Sequence, residues 1–579
     1  VSVHVKDKIR YQELAPMRGF MSSVDYRFHF GLGLDSIVDS LIIEWPNQNI
    51  SKLYNIKADQ LLSVSQKKAE MLSYKTTLKP SSFLPPLFQS VPFPNGFQFK
   101  HLESNYVDFD KERLRYSMIS NEGPCTCSGD FNKDGLDDFY IGGAHGQAGR
   151  LWIQNASGHF KTMGNAVFDE DLASEDTGCV FFDADNDGYP ELYVSSGSNE
   201  VNNSSLTLMD RLYLNTKGKA LTKSQQVLPS PVNLESTSVV KAADFDNDGD
   251  VDLFVGGRVS PNIYGQPVSS YLLQNDGKGQ FNDVTSTLIP DIQALGMVTD
   301  AEWLDFNKDG QIDLIIVGEW MPVRLFLQDK GKFIDQSQKV GLQNTNGWYH
   351  SISQGDFNGD GYPDVVLGNH GLNSRFKATS TEPISLYIND FDNNGTVEQI
   401  LTRYYDGKEL PLHLRTDLVL QLPYLKKKYL RFSNYQNQGI SDIFTREQIA
   451  SSLHLKAFNL SSNILLNEGG KKFIQKPLPA EAQFSPIYAL LVADFNKDGH
   501  EDILLGGNQS RAKPETGIYL GSYGLLLKGI GNGGFIPQKQ KESGLFIKGE
   551  IRSLTSIRIK DKLHVIVGKN NDFPVFLSY

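Results

Sequence analysis

Seven times the chain repeats an acidic nine-residue phrase, Asp-x-Asn/Asp-x-Asp/Asn-Gly-x-x-Asp/Glu, and continues into β-branched and aromatic residues. The copies begin at Asp130, Asp183, Asp244, Asp305, Asp356, Asp390 and Asp494. Side-chain oxygens fall at positions 1, 3, 5 and 9. In order, these are Asp130, Asn132, Asp134 and Asp138; Asp183, Asp185, Asp187 and Glu191; Asp244, Asp246, Asp248 and Asp252; Asp305, Asn307, Asp309 and Asp313. The last three copies supply Asp356, Asn358, Asp360 and Asp364; Asp390, Asp392, Asn394 and Glu398; Asp494, Asn496, Asp498 and Asp502. Position 7, held by Leu136, Tyr189, Asp250, Gln311, Tyr362, Thr396 and His500, can add a backbone carbonyl. Oxygen ligands wrapped around one glycine that permits a sharp turn are what a hard cation such as calcium requires. The expectation is up to seven structural calcium ions, each tying the strand before a loop to the strand after it.

An EF-hand would need a bidentate Glu at position 12 and helices on both sides. Position 12 is instead Ile141, Val194, Val255, Ile316, Leu367, Leu401 and Leu505, and each loop runs on into the pattern of a short strand. Loop starts lie 53, 61, 61 and 51 residues apart through Asp356, a period that suits propeller blades. Residues 238–242, 251–255, 271–274 and the run from Phe281 spell four strands around the third loop. The third-strand phrase recurs near residues 211, 324, 463 and 525. The pattern predicts an all-β chain, a calcium-binding β-propeller of seven blades. The last, loop-free blade at residues 551–579 would borrow its fourth strand from around residues 93–101. Asp390 lies only 34 residues beyond Asp356, so its loop is read as a hairpin inside an insertion of blade five; were it to found a blade, the count would be eight.

The repeat resembles the FG-GAP/VCBS family, the calcium-loop propeller also found in integrin α-subunit heads, over about residues 95–579. Residues 1–75 differ: the phrases at 28–48 (FHFGLGLDSIVDSLIIEWPNQ) and 54–64 (YNIKADQLLSV) resemble the ASPIC/UnbV domain of cartilage acidic protein-like chains, a small β-rich unit that usually comes after a propeller. Since the chain opens inside that domain without an initiator Met, it is expected to be part of a longer protein. Residues 76–95, rich in Pro and Ser, read as a linker to the propeller of residues 96–579.

The net charge of −12 belongs to the loops. Their ligand positions hold 23 of the 68 acids, which leaves 45 against 56 bases, and seven bound cations would add about +14. Residues 426–428 (Lys-Lys-Lys) form the largest basic run, better read as a solvated face than a nucleic-acid track, so no nucleic-acid partner is expected. Weak calcium loops suit a calcium-rich extracellular or periplasmic setting. Cys125, Cys127 and Cys179 leave two readings open, a disulfide to Cys179 or buried free thiols.

Function is sought where the chain departs from the repeat. The insertion at about residues 370–460 is too long for an ordinary connection and carries capping-box spacing at residues 445–448; it is either a recognition element or a cover for the propeller edge. Trp320, Trp348, Tyr349, His350, Asn369, His370 and Asn373 gather just outside the strands of blades four and five. They would either stack sugar or peptide rings from an exposed rim or pack between blades. No GxSxG, HExxH, CxxC or Walker loop occurs, so the chain is expected not to be an enzyme. Several phrases toward the C-terminus, among them LKKKYLRFSNY and VGKNNDFPVF, resemble large surface proteins of Bacteroidota. That resemblance implies an accessory subunit on the outer face of an outer membrane, lipid-anchored upstream, recognising glycan, peptide or protein beside a TonB-dependent transporter. A calcium-dependent adhesin and a polysaccharide-degrading enzyme are the alternatives.

Overall fold

The computed structural model describes residues 1–47, 49–71, 85–93, 97–232, 234–560 and 562–579. The chain divides into two compact units, Val1–Leu84 and Pro85–Tyr579. The first holds one antiparallel five-stranded sheet in the order Lys8–Tyr11, Ser2–Val5, Ile37–Glu44, Asn49–Lys57 and Glu70–Met71. Alternation in SVHV and IVDSLIIE places Val3, Val5, Val38 and Leu41 together in its small core.

In the second unit seven four-stranded antiparallel sheets form a cycle. Their first strands are Thr126–Gly129, Glu175–Phe182, Ser236–Ala243, Met297–Leu304, Ser351–Gly355, Ile487–Ala493 and Glu550–Ile559. Each packs against the next, and the last packs against the first. The second strands of the six loop-bearing blades, such as Asp138–Ile141, Asp252–Val259 and Asp313–Glu319, are buried at every residue. A strand covered on both faces by neighbouring blades needs apolar residues throughout, so these runs read as continuous rather than alternating. The first strands line a central channel of about 610 Å³.

Ring closure comes from Gln89–Val91, which pairs antiparallel with Val575–Ser578 as the fourth strand of the last sheet. This corrects the sequence expectation, which placed that strand near residues 93–101 and read residues 76–95 as linker. Residues 85–93 belong to the propeller, held by the fully buried Phe88 between Phe495 and Tyr579, with ring centroids 5.2 and 5.4 Å away. The rest of the expected linker, residues 76–84 and 94–95, lies outside the described residues.

The insertion leaves blade five after Asp364–Gly368 and returns at Asn463–Asn467. It builds its own sheet, ordered Lys408–Pro411, Glu398–Tyr405, Ile384–Asn389 and Leu453–Ala457, and the Asp390 loop is its hairpin. Helices Arg415–Gln421, Phe432–Tyr435, Ile440–Ile443 and Arg446–Ser451 cover that sheet through Leu418, Leu422, Leu425, Ile440 and Ile443, which pack on Tyr387, Phe391 and Ile400. Thr445 caps the last helix by accepting from the Gln448 N–H at 3.2 Å, while Gln448 Oε1 accepts from the Thr445 N–H at 2.9 Å. Among the described residues no helix is long and apolar enough to cross a membrane.

Candidate metal loops and the aromatic cavity

The seven loops share one backbone. Position 6 is a left-handed glycine in each, with φ of +83° at Gly135 and Gly310 and +96° at Gly249. Position 4 is left-handed too: Lys133, Asn186, Asn247, Lys308, Gly359, Asn393 and Lys497. Two such turns, at positions 4 and 6, fold the loop into a cup. Asp130 accepts the N–H groups of Asp134 and Gly135 at 3.1 and 2.9 Å, and Asp305 those of Asp309 and Gly310 at 3.1 and 3.0 Å. Asp244, Asp390 and Asp494 repeat this, and Asp356 accepts from Gly359 and Gly361. The position-5 side chain accepts the N–H of position 7 in every loop, from Leu136, Tyr189, Asp250, Gln311, Tyr362, Thr396 and His500.

Position 9 is different in kind. Asp138, Glu191, Asp252, Asp313, Asp364, Glu398 and Asp502 are each at most 1 % exposed, at the first residue of the outgoing strand. In the five loops from Asp130 to Asp356 one oxygen takes the N–H of position 2 and the other takes an N–H at the end of the blade's third strand. In blade four these donors are Phe306 at 3.0 Å and Gln328 at 2.8 Å. Blade five uses Phe357 and Asn467 in the same way, at 3.1 and 2.7 Å. With no cation counted, burial first and the other loop carboxylates second push Asp138, Asp252, Asp313 and Asp364 up to about 7; for Glu191, also at about 7, Asp185 and Asp183 add to burial.

Three loops bring three carboxylate oxygens within 4.8 Å of one another: Asp183, Asp185 and Glu191; Asp244, Asp246 and Asp248; Asp390, Asp392 and Glu398. Buried oxygens of Asp183 and Asp392 there have no hydrogen-bond partner, which fits ligands turned toward a cation. These residues could hold a metal ion. In blade six, by contrast, Lys528 pairs with Asp498 at 2.9 Å and Asn496 donates to Asp502 at 3.0 Å.

Sequence reading missed how the loops join. Lys133 lies 5.3 Å from the Tyr189 ring and Lys308 4.5 Å from that of Tyr362, while Asn186 donates to Asp250 at 2.6 Å. Each contact runs from position 4 of one loop to position 7 of the next. A second stitch ends the third strand: Asn215, Asn275 and Asn467 donate to the carbonyls of Phe131, Ala184 and Phe306 in the preceding blade at 2.8–2.9 Å. The recurring Asn at the end of RLYLN, YLLQN and NILLN was the available signal.

The rim residues lie inside. Trp320, Trp348, Tyr349, Asn369 and His370 are all buried, as the reading of rings packed between blades has it rather than that of exposed stacking rings. Tyr349 belongs to the core between blades four and five and donates its hydroxyl to Thr345. Asn369 accepts the Trp348 and His370 N–H groups at 3.1 and 2.8 Å, and Asn373 is exposed, donating to Phe484 at 3.2 Å. Trp320, Trp348, His350 and His370 do share one cavity of about 50 Å³, covered by Leu386, Gln399 and Leu401 of the insertion. Trp348 touches Trp320, His370 and Phe376 with centroids 5.1–5.2 Å apart. Burial drives His350 and His370 down to about 3, so both are neutral. Rings closed off by the insertion cannot present a face to solvent; the insertion, absent from a blade-by-blade reading, decides their burial. In the channel, Asp300 and Glu302 face Lys241, which binds them at 3.2 and 3.1 Å. Cys125, Cys127 and Cys179 are free thiols raised by burial.

Residues 1–71 match the ASPIC and UnbV family model; residues 130–194 and 305–367 match the FG-GAP-like repeat, and residues 348–387 the FG-GAP repeat. These matches are consistent with FG-GAP repeats behind an ASPIC/UnbV segment. The matched FG-GAP spans include the loops that begin at Asp130, Asp183, Asp305 and Asp356. A T-cell immunomodulatory protein of Rattus norvegicus is 24 % identical over 278 residues, 42 % of this chain and 45 % of that protein. The chain thus spans about half the length of the curated relative it matches. Similar solved structures include a V. cholerae biofilm matrix protein (10 % identity, 83 % of this chain and 90 % of that one, TM-score 0.35) and an exotype rhamnogalacturonan lyase (10 %, 80 % and 75 %, 0.36). The propeller assignment itself rests on the cyclic sheet order and the FG-GAP spans, and these point to an extracellular binding or interaction module.

Proposed function

We propose that this chain is a calcium-stabilised extracellular binding module that docks a protein partner through the insertion of blade five. FG-GAP repeats often bind calcium, and the acidic clusters of three loops support that cofactor here. The observation that carries the docking surface is the outer side of the insertion. Leu414, Leu420, Tyr424, Leu430 and Phe432 are 43–72 % exposed around the solvated lysines 426–428. Large apolar side chains clustered on one covering element, beside positive charge, suit a protein interface with an acidic rim. The resemblance to Bacteroidota surface proteins supports a place on the outer face of an outer membrane, as an accessory subunit of an uptake assembly that takes glycan, peptide or protein.

The test is affinity capture of the intact protein from its native membrane in calcium, with wild type beside a Leu430→Asp/Phe432→Asp variant. A stoichiometric partner held by wild type and lost by the variant, at unchanged Tm, supports the reading. A partner retained by both moves the interface elsewhere, and no partner in calcium removes the subunit reading. A separate observation favours the enzyme alternative, the Asp300 and Glu302 carboxylates within the channel. Lys241 pairs with both and offsets one of the two charges, so this reading requires hydrolysis of a polysaccharide that Glu302→Gln abolishes.

A further inference from the structure

The cavity beneath the insertion is built as a box of rings. Trp348 meets Trp320 at 60°, Phe376 at 74° and His370 at 81°, with centroids 5.1–5.2 Å apart. His370 meets Tyr519 at 79° and 5.0 Å, and Tyr116 meets Phe376 at 66° and 5.7 Å. Rings set at such angles stand as walls around a space, whereas parallel stacking would fill it. The walls come from separate parts of the fold: Tyr116 from the segment before blade one, Trp320 from blade four, Trp348 and His370 from blade five, Phe376 from the insertion and Tyr519 from blade six. Trp320 is held in the left-handed region, at φ of +65°, where its N–H donates to the Gly347 carbonyl at 2.8 Å. A bulky side chain takes that conformation only where its surroundings impose it, and such strain collects at ligand clamps.

The polar edges of two walls are tied to one carboxylate. Trp320 Nε1 donates to the Tyr264 hydroxyl at 2.9 Å, and that hydroxyl donates to Glu319 Oε2 at 2.8 Å. Glu319 and Arg115 line the same space. Arg258 reaches Glu319 at 3.4 Å and Glu122 at 2.6 Å, while Arg115 pairs with Asp108 and Glu112 at 3.3 and 2.9 Å. Two guanidinium groups are thus matched against four carboxylates. Lys513 and Arg552, which lie over the Tyr116 and Tyr488 rings, have Asp417 and Glu550 of their own. Arg375 and Glu515 act on Tyr116 with opposite sign. Burial keeps His350 and His370 neutral, so neither ring offsets the excess of negative charge.

We propose that this box binds a small free organic cation with a methylated ammonium head, seated among Trp320, Trp348 and Phe376 with Glu319 as its counter-charge. A cation is drawn to aromatic faces by their quadrupole, most strongly where water is excluded, and boxes of rings are how quaternary ammonium groups are recognised. A head without N–H groups asks no hydrogen bond of such walls. The cavity of about 50 Å³ admits roughly three to five groups the size of a water molecule, which matches a trimethylammonium head. Entry is from the central channel, since His350 and Tyr488 line both spaces. Leu386, Gln399 and Leu401 of the insertion close the box, so a bound cation also pins the insertion to blades four and five.

The test titrates the full protein with choline, followed by tryptophan fluorescence and calorimetry. Beside it runs the uncharged carbon isostere of choline, in which a tert-butyl group replaces the trimethylammonium head. Saturable choline binding, with the isostere at least about tenfold weaker, supports the site. Glu319→Gln should weaken choline by about tenfold and leave the isostere unchanged. Equal affinity for the two compounds in wild type overturns the proposal, because the cavity then selects shape and not charge. No saturation by choline overturns it as well, and so does an unchanged choline affinity in folded Glu319→Gln. Should that variant not fold, the comparison of the two compounds in wild type decides.

Discussion

At the scale of single residues, the ninth position of each loop carries more than a ligand. Asp313 holds two buried N–H groups, from Phe306 and Gln328, whatever the metal does. Asp313→Ala strands both donors and is expected to lower stability by roughly 2–5 kcal/mol even in saturating calcium, read as the shift in chemical denaturation midpoint. Asp309→Ala, at the more exposed position 5, should matter chiefly when calcium is present. The loop residues were legible because ligand spacing and the glycine are local facts. The left-handed position 4 was legible in principle, in its recurring Asn, Lys and Gly, but it takes the backbone to show that a second turn is needed there. Burial of Trp348 was not legible: its neighbours Phe376, Tyr519 and Leu401 are far along the chain and come together only when the insertion folds over the blades.

At the scale of loops and strands, the way each hairpin is tied has two consequences. The first concerns pH. In calcium-free protein Asp138, Asp252, Asp313 and Asp364 titrate near 7 against 3.8 when unperturbed, and Glu191 near 7 against 4.5. Between those values the native state binds more protons than the unfolded chain. The stability of the calcium-free form therefore falls as pH rises from about 4 to 7 and levels off above. Calorimetry of metal-depleted protein should show Tm falling across that window, and saturating calcium should reverse the trend, since a cation needs its ligands ionised. The second concerns the Asn stitch. Asn275→Ala removes the bonds to Ala184 and Val251, at 2.8 and 3.1 Å, and is expected to cost roughly 1–3 kcal/mol. Hydrogen exchange should quicken at the blade-two loop around Ala184, although the substitution sits in blade three. Strands and loops were readable as a repeat, while the bonds from one blade to the next were not, because a repeat pattern describes one blade at a time.

Across the whole molecule, closure depends on three residues, Gln89–Val91, hydrogen-bonded to the penultimate stretch of the chain. Six of the seven loops mark blades, and the ring is closed by a segment that looks like a Pro-rich linker, so composition misassigned it by a few residues. Phe88 anchors that segment, and Phe88→Ala should lower stability by about 3–5 kcal/mol. It should also split a single unfolding transition, with blade seven exchanging first by hydrogen exchange. Chelation should lower Tm as well, but through the six loop-bearing blades and the insertion rather than through this seam.

The same seam sets how the protein answers to pulling. Any load carried along the chain from residues 1–84 arrives first at Leu87 and Phe88, whose N–H groups bond to the Glu542 and Ser543 carbonyls at 3.0 and 2.8 Å, and then at Gln89–Val91. The connection to the N-terminal segment and the fastener of the ring are therefore one piece of polypeptide. Stretched from its N-terminus in an optical trap, the protein should first yield a small extension as this short strand peels from Val575–Ser578. Stretched between two interior loops, it should show no such early step. A tether that can let the circle spring open under tension, and reseal when slack, is a mechanical property that the propeller has by virtue of where its chain is fastened.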